Sequence, residues 1–81
     1  MTFHLENNFL KASFKSLGAE LCSLVNIKNN TEHIWQANPK VWARHAPILF
    51  PIVGQVEKNT YRIDEREFTL SQHGFARDRQ F

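Results

Sequence analysis

Side chains suited to proton-transfer chemistry lie close together in one short polar stretch, residues 71–78. It contains His73, Gly74, Arg77 and Asp78. Histidine can give or take a proton near neutral pH, and glycine lets a ligand approach the backbone closely. We therefore single out His73 as the candidate catalytic residue, with Arg77 and Asp78 beside it. The alternatives are a turn histidine that only hydrogen-bonds the backbone, and an exposed Arg77–Asp78 ion pair of little energetic consequence.

Other residues that could bind a ligand or take part in a reaction have a less informative spacing. Metal-ligand spacing is absent among the remaining histidines and the single cysteine, which are His4, His33, His45 and Cys22. We therefore predict no metal site. The rings of Trp35 and Trp42 can face a sugar, although packing inside a core is the more common role of tryptophan. The sequence has no phosphate-binding loop, nucleotide-binding glycine pattern or nucleophile elbow.

Composition and charge exclude several classes of partner. The chain has 10 basic and 8 acidic residues, for a net charge of +2, and the basic residues are scattered. A nucleic-acid-binding protein would carry a basic stripe with stacking aromatic residues, so we expect no nucleic-acid partner. The N-terminus lacks the regions of a signal peptide, and no apolar stretch is long enough to span a membrane. The lone Cys22 fits a reducing compartment, so we expect a cytoplasmic protein without a membrane partner.

The polar stretch must be positioned by β-strands, because hydrophobic residues recur with a period of two along much of the chain. Residues 9–16 and 20–27 alternate in this way, which predicts two half-buried strands. In the second of them, one face is expected to carry Leu21, Ser23, Val25 and Ile27. Residues 28–31 are typical of a hairpin loop, and residues 32–36 are the expected returning strand.

Prolines interrupt this pattern in the middle of the chain. Asn38 followed by Pro39 is a helix-start signal, so one helical turn is expected over residues 39–44. Residues 46–54 are apolar and contain two prolines. A central strand cannot lose two ladder donors. We therefore expect this stretch to be a buried, irregular segment that lines a core or a cleft.

The last third of the chain is predicted to fold as a second hairpin followed by the polar stretch. Its strands are expected at residues 60–63 and 67–70, with a turn at residues 64–66. Residues 71–78 follow directly as the loop that carries His73.

Three stretches resemble a known family in their order and composition. They are LGAELCSL at residues 17–24, HAPILFPIVG at residues 45–54 and QHGFARD at residues 72–78. Together they are similar to the start of aldose 1-epimerase proteins, in the branch with an HGFARD-type motif. The resemblance implies an all-β fold, the N-terminal part of a galactose mutarotase-like antiparallel β-supersandwich with at most one short helical turn. Residues 1–81 are then one partial, N-terminal aldose 1-epimerase-like domain.

The same resemblance implies interconversion of the α and β anomers of an aldose, without a cofactor. Ring opening needs a base for the anomeric hydroxyl proton and an acid for the ring oxygen, each typically worth ~10²–10⁴-fold. In the family a glutamate is the usual base and a histidine the usual acid. By resemblance His73 is an active-site histidine that contacts the sugar. Arg77 is the motif arginine that orients sugar hydroxyls or, in some branches, a phosphate, and Asp78 holds that arginine in place.

Two departures from the family pattern limit what the chain is expected to do alone. Family members are several times longer, and the positions of the catalytic glutamate and a second histidine lie beyond Phe81. Gln55 stands where basic residues also occur in relatives. We therefore expect a parent protein with mutarotase activity and no such activity in the chain alone. The alternatives are a non-catalytic carbohydrate-binding module, a truncated non-functional fragment, and one part of a split protein completed by a further polypeptide.

Overall fold

Two antiparallel sheets carry most of the regular structure in the computed structural model, which describes every residue of the chain. The larger sheet has the order β1 (Thr2–Glu6), β2 (Leu10–Lys15), β3 (Glu20–Asn26) and β4 (Thr31–Glu32). The smaller sheet is a hairpin of β5 (Thr60–Ile63) and β6 (Arg66–Thr69). Single 3₁₀ turns lie at Glu57–Asn59 and Ala76–Asp78. The predicted all-β meander and hairpin are confirmed. None of the helical segments has the length and apolar character of a membrane span.

One face of the larger sheet is apolar because the strand register aligns the apolar positions of its long strands. Phe3 lies opposite Phe14, and Ala12 lies opposite both Leu5 and Leu24. Directly opposed side chains project from the same side of an antiparallel sheet. This apolar sheet face consists of Phe3, Leu5, Leu10, Ala12, Phe14 and Leu24. It is open, since Phe3 is 52% exposed and Leu5 is 68% exposed.

A β-bulge changes the face that the start of β3 presents. The register shifts between Ser13 and Phe14, so that Ser13 lies opposite Ser23 while Phe14 lies opposite Leu21. The extra residue is Cys22, whose thiol donates to the Ser13 carbonyl at 3.4 Å. A bulge places two residues against one and ends strict alternation. The prediction that Leu21 and Ser23 share a face is therefore wrong.

The carboxylate of Glu32 ends β4 after two residues. Its Oε2 accepts the Leu24 N–H at 2.8 Å, a donor that a longer ladder would use, and the Ile34 N–H at 3.2 Å. The Ser23 hydroxyl donates to Oε1. The predicted returning strand at residues 32–36 is therefore shorter than expected, because side-chain hydrogen bonds replace the ladder.

The predicted single helical turn over residues 39–44 is shorter than expected, one hydrogen-bonded turn that begins at Asn38 and ends at Trp42. The N–H groups of Val41 and Trp42 donate to the Asn38 carbonyl at 2.9 and 2.8 Å, and the Asn38 side chain accepts from Lys40. No further bond continues this turn, and one isolated turn gains too little to propagate as a helix.

Residues 46–54, the proline-interrupted segment, are irregular as predicted but not buried. Phe50 is 57% exposed and Val53 is 71% exposed. Isolated bridges tie Ala46 to Leu21 and Phe50 to Gly74. The segment is thus anchored along its length, and the Phe75 ring meets the Phe50 ring edge-on with 6.2 Å between centroids, but Phe50 and Val53 remain largely exposed. The prediction of burial is wrong for this chain.

Candidate functional site

The C-terminal loop, residues 71–78, is fastened to the proline-interrupted segment by backbone hydrogen bonds. The N–H of His73 donates to the Gly54 carbonyl at 2.8 Å. The Phe50 carbonyl accepts from Phe75 and from Ala76, at 2.9 and 3.2 Å. These contacts fix the loop on both sides of its central glycine. The position of His73 is therefore set by backbone that is distant in sequence.

Gly74 is required where the two segments meet. Its φ is +73°, in the left-handed region that favours glycine. A Cβ at this position would overlap the Phe50 carbonyl and lie 2.6 Å from Cδ of Pro51. The preceding residue, His73, also has a positive φ, of 64°. The turn therefore brings the loop closer to the segment than any residue with a side chain allows.

The first motif stretch contacts the end of the chain through a second glycine. Gly18 has a φ of +72°, and a Cβ there would lie 2.5 Å from the Arg77 carbonyl oxygen. Its N–H donates to the Arg79 carbonyl. The Ser16 hydroxyl donates to Oε1 of Gln80 at 3.0 Å. These contacts hold the turn between β2 and β3 close to the 3₁₀ turn that carries Arg77.

The buried carboxylate of Glu20 joins the first stretch to the second. Glu20 is only 7% exposed, and its Oε1 accepts the backbone N–H of His45 at 3.1 Å. Leu21 and Ala46 form an isolated bridge directly beside this bond. The three stretches that carry the family resemblance therefore meet pairwise in space, although they are far apart in sequence.

The imidazole of His73 has one ring nitrogen occupied and one available. Nδ1 hydrogen-bonds to the Val53 carbonyl oxygen. A carbonyl can only accept, so Nδ1 carries the proton and Nε2 has the lone pair in the neutral ring. The ring is half-buried. Nε2 is therefore the atom of His73 that can exchange a proton with a ligand.

Asp78 connects two arginines. Its Oδ1 accepts from Nη2 of Arg44 at 3.2 Å, and its Oδ2 lies 3.8 Å from Nε of Arg77. The Arg77 side chain is only 24% exposed, and its buried Nε has no hydrogen-bond partner. Sequence reasoning missed Arg44, because nothing local indicates that it meets a carboxylate 34 residues away. The predicted role of Asp78 in holding Arg77 stays a prediction.

The aldose 1-epimerase family model matches residues 1–81, the whole of the chain. The chain belongs to the aldose 1-epimerase family. The plasmid-encoded LacX protein of Lactococcus lactis subsp. lactis is 42% identical over 86 aligned residues, which cover 100% of the chain and 28% of LacX. The chromosomal LacX protein of the same organism is 41% identical with the same coverage.

Solved structures support the same family assignment. The crystal structure of a galactose mutarotase-like protein from Lactobacillus casei superposes with a TM-score of 0.95 at 44% identity, and the match covers 28% of that protein. A galactose mutarotase related enzyme from Lactobacillus acidophilus gives a TM-score of 0.94 at 43% identity and 27% coverage. This aldose 1-epimerase family chain therefore has the fold of its relatives over little more than a quarter of their length.

The candidate site is open to solvent, and its predicted residues are not joined into one cluster. No hydrogen bond or ion pair joins His73 to Arg77, to Asp78 or to any other carboxylate. The concave surface beside the C-terminal loop is lined by other residues, among them Ser71, Phe75 and Arg79. The three predicted site residues thus lie on one loop, but only Asp78 and Arg77 are in contact.

Proposed function

We propose that residues 1–81 form the N-terminal part of an aldose 1-epimerase domain whose complete form interconverts the α and β anomers of an aldose. The observation that supports this most is the fixed orientation of the His73 imidazole. Its Nδ1 is committed to the Val53 carbonyl, while Nε2 is free on a loop that two distant segments fix in place. Such an imidazole is oriented to exchange one proton at one atom.

The proposed reaction needs two proton transfers on the sugar. A base removes the proton of the anomeric hydroxyl, its electron pair forms the carbonyl, and the bond from the anomeric carbon to the ring oxygen breaks. An acid delivers a proton to that ring oxygen. Rotation about the bond next to the aldehyde and reversal of both transfers give the other anomer. We assign Nε2 of His73 to one of these two proton transfers with the sugar. A positioned acid or base typically contributes ~10²–10⁴-fold to the rate.

We assign Arg77 and Asp78 to substrate binding. The Arg77 guanidinium provides several N–H donors on a largely buried side chain, and these suit sugar hydroxyls or a phosphate where the sugar carries one. Asp78 lies between Arg77 and Arg44, so it restrains the directions that both guanidinium groups can take. The partner of the site is a small sugar, and we propose a cytoplasmic protein of carbohydrate metabolism that binds neither nucleic acid nor membrane.

The chain by itself is proposed to be inactive, since no carboxylate contacts the His73 ring and the site has no enclosing wall. The same observation favours a second candidate function, a non-catalytic carbohydrate-binding module. Saturable quenching of the Trp35 and Trp42 fluorescence by a sugar, without any acceleration of mutarotation, would select that alternative over catalysis.

A chimera tests the catalytic proposal. In it, this chain replaces the matching segment of the Lactobacillus casei relative, and polarimetry follows the mutarotation of fresh α-D-glucose and α-D-galactose. We expect acceleration well above buffer, and a loss of at least ~100-fold on His73→Ala. His33→Ala is the matched control, because the side chain of His33 is exposed and makes no hydrogen bond. A chimera at the buffer rate, or equal activities of His73→Ala and His33→Ala, contradicts the proposal.

A further inference from the structure

Arg44 lies on a connection whose backbone is held on both sides. Before it, the Trp42 carbonyl accepts the indole N–H of Trp35 at 2.8 Å. After it, the N–H of His45 donates to the buried carboxylate of Glu20 at 3.1 Å. The imidazole of His45 is also bound, through Nδ1 to the Trp35 carbonyl at 2.7 Å. The Arg44 side chain therefore extends from backbone with a defined position.

Asp78 is held by a separate set of contacts. It ends the 3₁₀ turn Ala76–Asp78, and its N–H donates to the Phe75 carbonyl at 3.1 Å. Ala76, which begins this turn, is buried. The hydrogen bond of 3.2 Å between Nη2 of Arg44 and Oδ1 of Asp78 thus joins two anchored segments.

The carboxylate of Asp78 is shared unequally between two guanidinium groups. Nη2 of Arg44 donates to Oδ1, whereas Nε of Arg77 lies 3.8 Å from Oδ2, beyond hydrogen-bonding distance. A carboxylate and an arginine frequently pair through two parallel N–H···O bonds. Asp78 and Arg77 are adjacent in the sequence, yet they do not form this pair. Arg44 therefore competes with Arg77 for the same carboxylate.

We propose that Arg44 is a positioning residue, which keeps Asp78 from pairing with Arg77 and so leaves the Arg77 guanidinium available to the sugar. The role rests on the proposed function, in which Arg77 binds the substrate. A close pair with Asp78 would occupy N–H donors of Arg77 and neutralise its charge. With Asp78 bonded to Arg44, the carboxylate limits the directions of Arg77 without occupying those donors.

The contact between Arg44 and Asp78 contributes little to stability. Their side chains are 37% and 58% exposed, and exposed ion pairs are worth little. Loss of Arg44 should therefore leave the fold intact and act on substrate binding. Direct contact of Arg44 with the sugar is the competing explanation for such an effect, and variants of Asp78 distinguish the two.

Kinetics of the chimera with the Lactobacillus casei relative test this role. Arg44→Ala should raise the KM for mutarotation at least ~10-fold, as expected for the loss of one charge-assisted hydrogen bond to the sugar, with kcat changed less than ~3-fold. Arg44→Lys should recover most of the loss, because an ammonium group still attracts the Asp78 carboxylate. Arg62→Ala is the matched control, since it removes a similarly exposed contact with Glu67 and should change KM less than ~2-fold.

A double variant separates positioning from direct contact. In Asp78→Asn the side chain is neutral, so it forms no ion pair with Arg77 whether or not Arg44 is present. In that background, Arg44→Ala should change KM less than ~2-fold. An equal loss in both backgrounds would mean that Arg44 contacts the sugar itself. An unchanged KM in Arg44→Ala alone would mean that Arg44 has no part in binding, and either result overturns the proposal.

NMR of the arginine side chains measures the positioning without sugar. The Nε–H resonance of Arg77 is identified by its loss in Arg77→Lys. In Arg44→Ala this resonance should move downfield, because the proton becomes hydrogen-bonded to the Asp78 carboxylate. Asp78→Asn should abolish the shift, and an unchanged resonance in Arg44→Ala overturns the proposal. A chimera at the buffer rate counts instead against the proposed function, while the resonance still decides whether Arg44 keeps Asp78 from Arg77.

Discussion

The close approach of Gly74 to Phe50 predicts a large and local effect of adding a single methyl group. In Gly74→Ala the new Cβ would overlap the Phe50 carbonyl and lie 2.5 Å from its carbon atom and 2.6 Å from Cδ of Pro51. These atoms belong to backbone and to a proline ring, which cannot rotate away. The loop must therefore separate from the proline-interrupted segment.

The magnitude follows from what the separation breaks. The Phe50 carbonyl loses its two backbone donors, the N–H groups of Phe75 and Ala76. Each such bond contributes about 1 kcal/mol net. An alanine at positive φ adds roughly 1 kcal/mol of strain. The expected loss of unfolding free energy is about 3 kcal/mol, a large part of the ~5–15 kcal/mol that stabilises an ordinary domain.

Urea unfolding followed by tryptophan fluorescence measures this loss in the chimera with the Lactobacillus casei relative. Gly54→Ala is the matched control, because a Cβ at Gly54 meets nothing within 4 Å and its backbone φ is not in the left-handed region. The control should change stability by less than ~0.5 kcal/mol. If Gly74→Ala and Gly54→Ala unfold at the same urea concentration, the glycine contact does not hold the loop and the reasoning is refuted.

Three further predictions concern the remaining contacts of the chain. The Ser23 hydroxyl and three backbone amides hold the pKa of Glu32 below its ordinary value of 4.5, against an opposing effect of burial. The Glu32 carboxylate therefore stabilises the fold above about pH 4.5, and this stabilisation is lost as the pH falls through the lower folded-state pKa. Urea midpoints measured against pH should accordingly converge with those of Glu32→Gln in acid and separate from them near neutrality. Asp78→Asn removes a largely exposed ion pair with Arg44 and should cost less than ~1 kcal/mol in the same assay, so a larger loss would mean that the pair is structural. Gly18→Ala should increase cleavage of the chain end by a protease relative to Gly54→Ala, because a Cβ there lies 2.5 Å from a backbone carbonyl oxygen; equal cleavage would contradict this.

Local physical chemistry explains the parts of the fold that were predictable. The period-two pattern identified β2 and β3, because a strand with one apolar face has the same signature wherever it lies. Two short runs on either side of a polar turn identified the β5–β6 hairpin. The Asn7 side chain accepts the N–H groups of Phe9 and Leu10, both at 2.8 Å, which is the local turn chemistry of asparagine. The loop that carries His73 was also predictable, since polar residues around a glycine do not continue a strand.

Elements that depend on distant atoms were mispredicted. The register shift at Cys22 and the early end of β4 at Glu32 are decided by which partner each backbone group finds across the sheet. The exposure of the proline-interrupted segment was missed for a related reason. The apolar composition of the segment indicates that it is suited to burial. Whether other residues cover it depends on the packing around it.

The sequence alone determined the strand pattern, the family and the residue types of the site, because these depend on periodicity and on short motifs. The tertiary structure decided which groups meet. Glu20 reaches His45 across 25 residues and Arg44 reaches Asp78 across 34. It also decided that Nε2 of His73 is the available nitrogen, because the carbonyl that occupies Nδ1 belongs to Val53, 20 residues earlier. Such contacts form only when folding brings distant segments together, and no local sequence pattern encodes them.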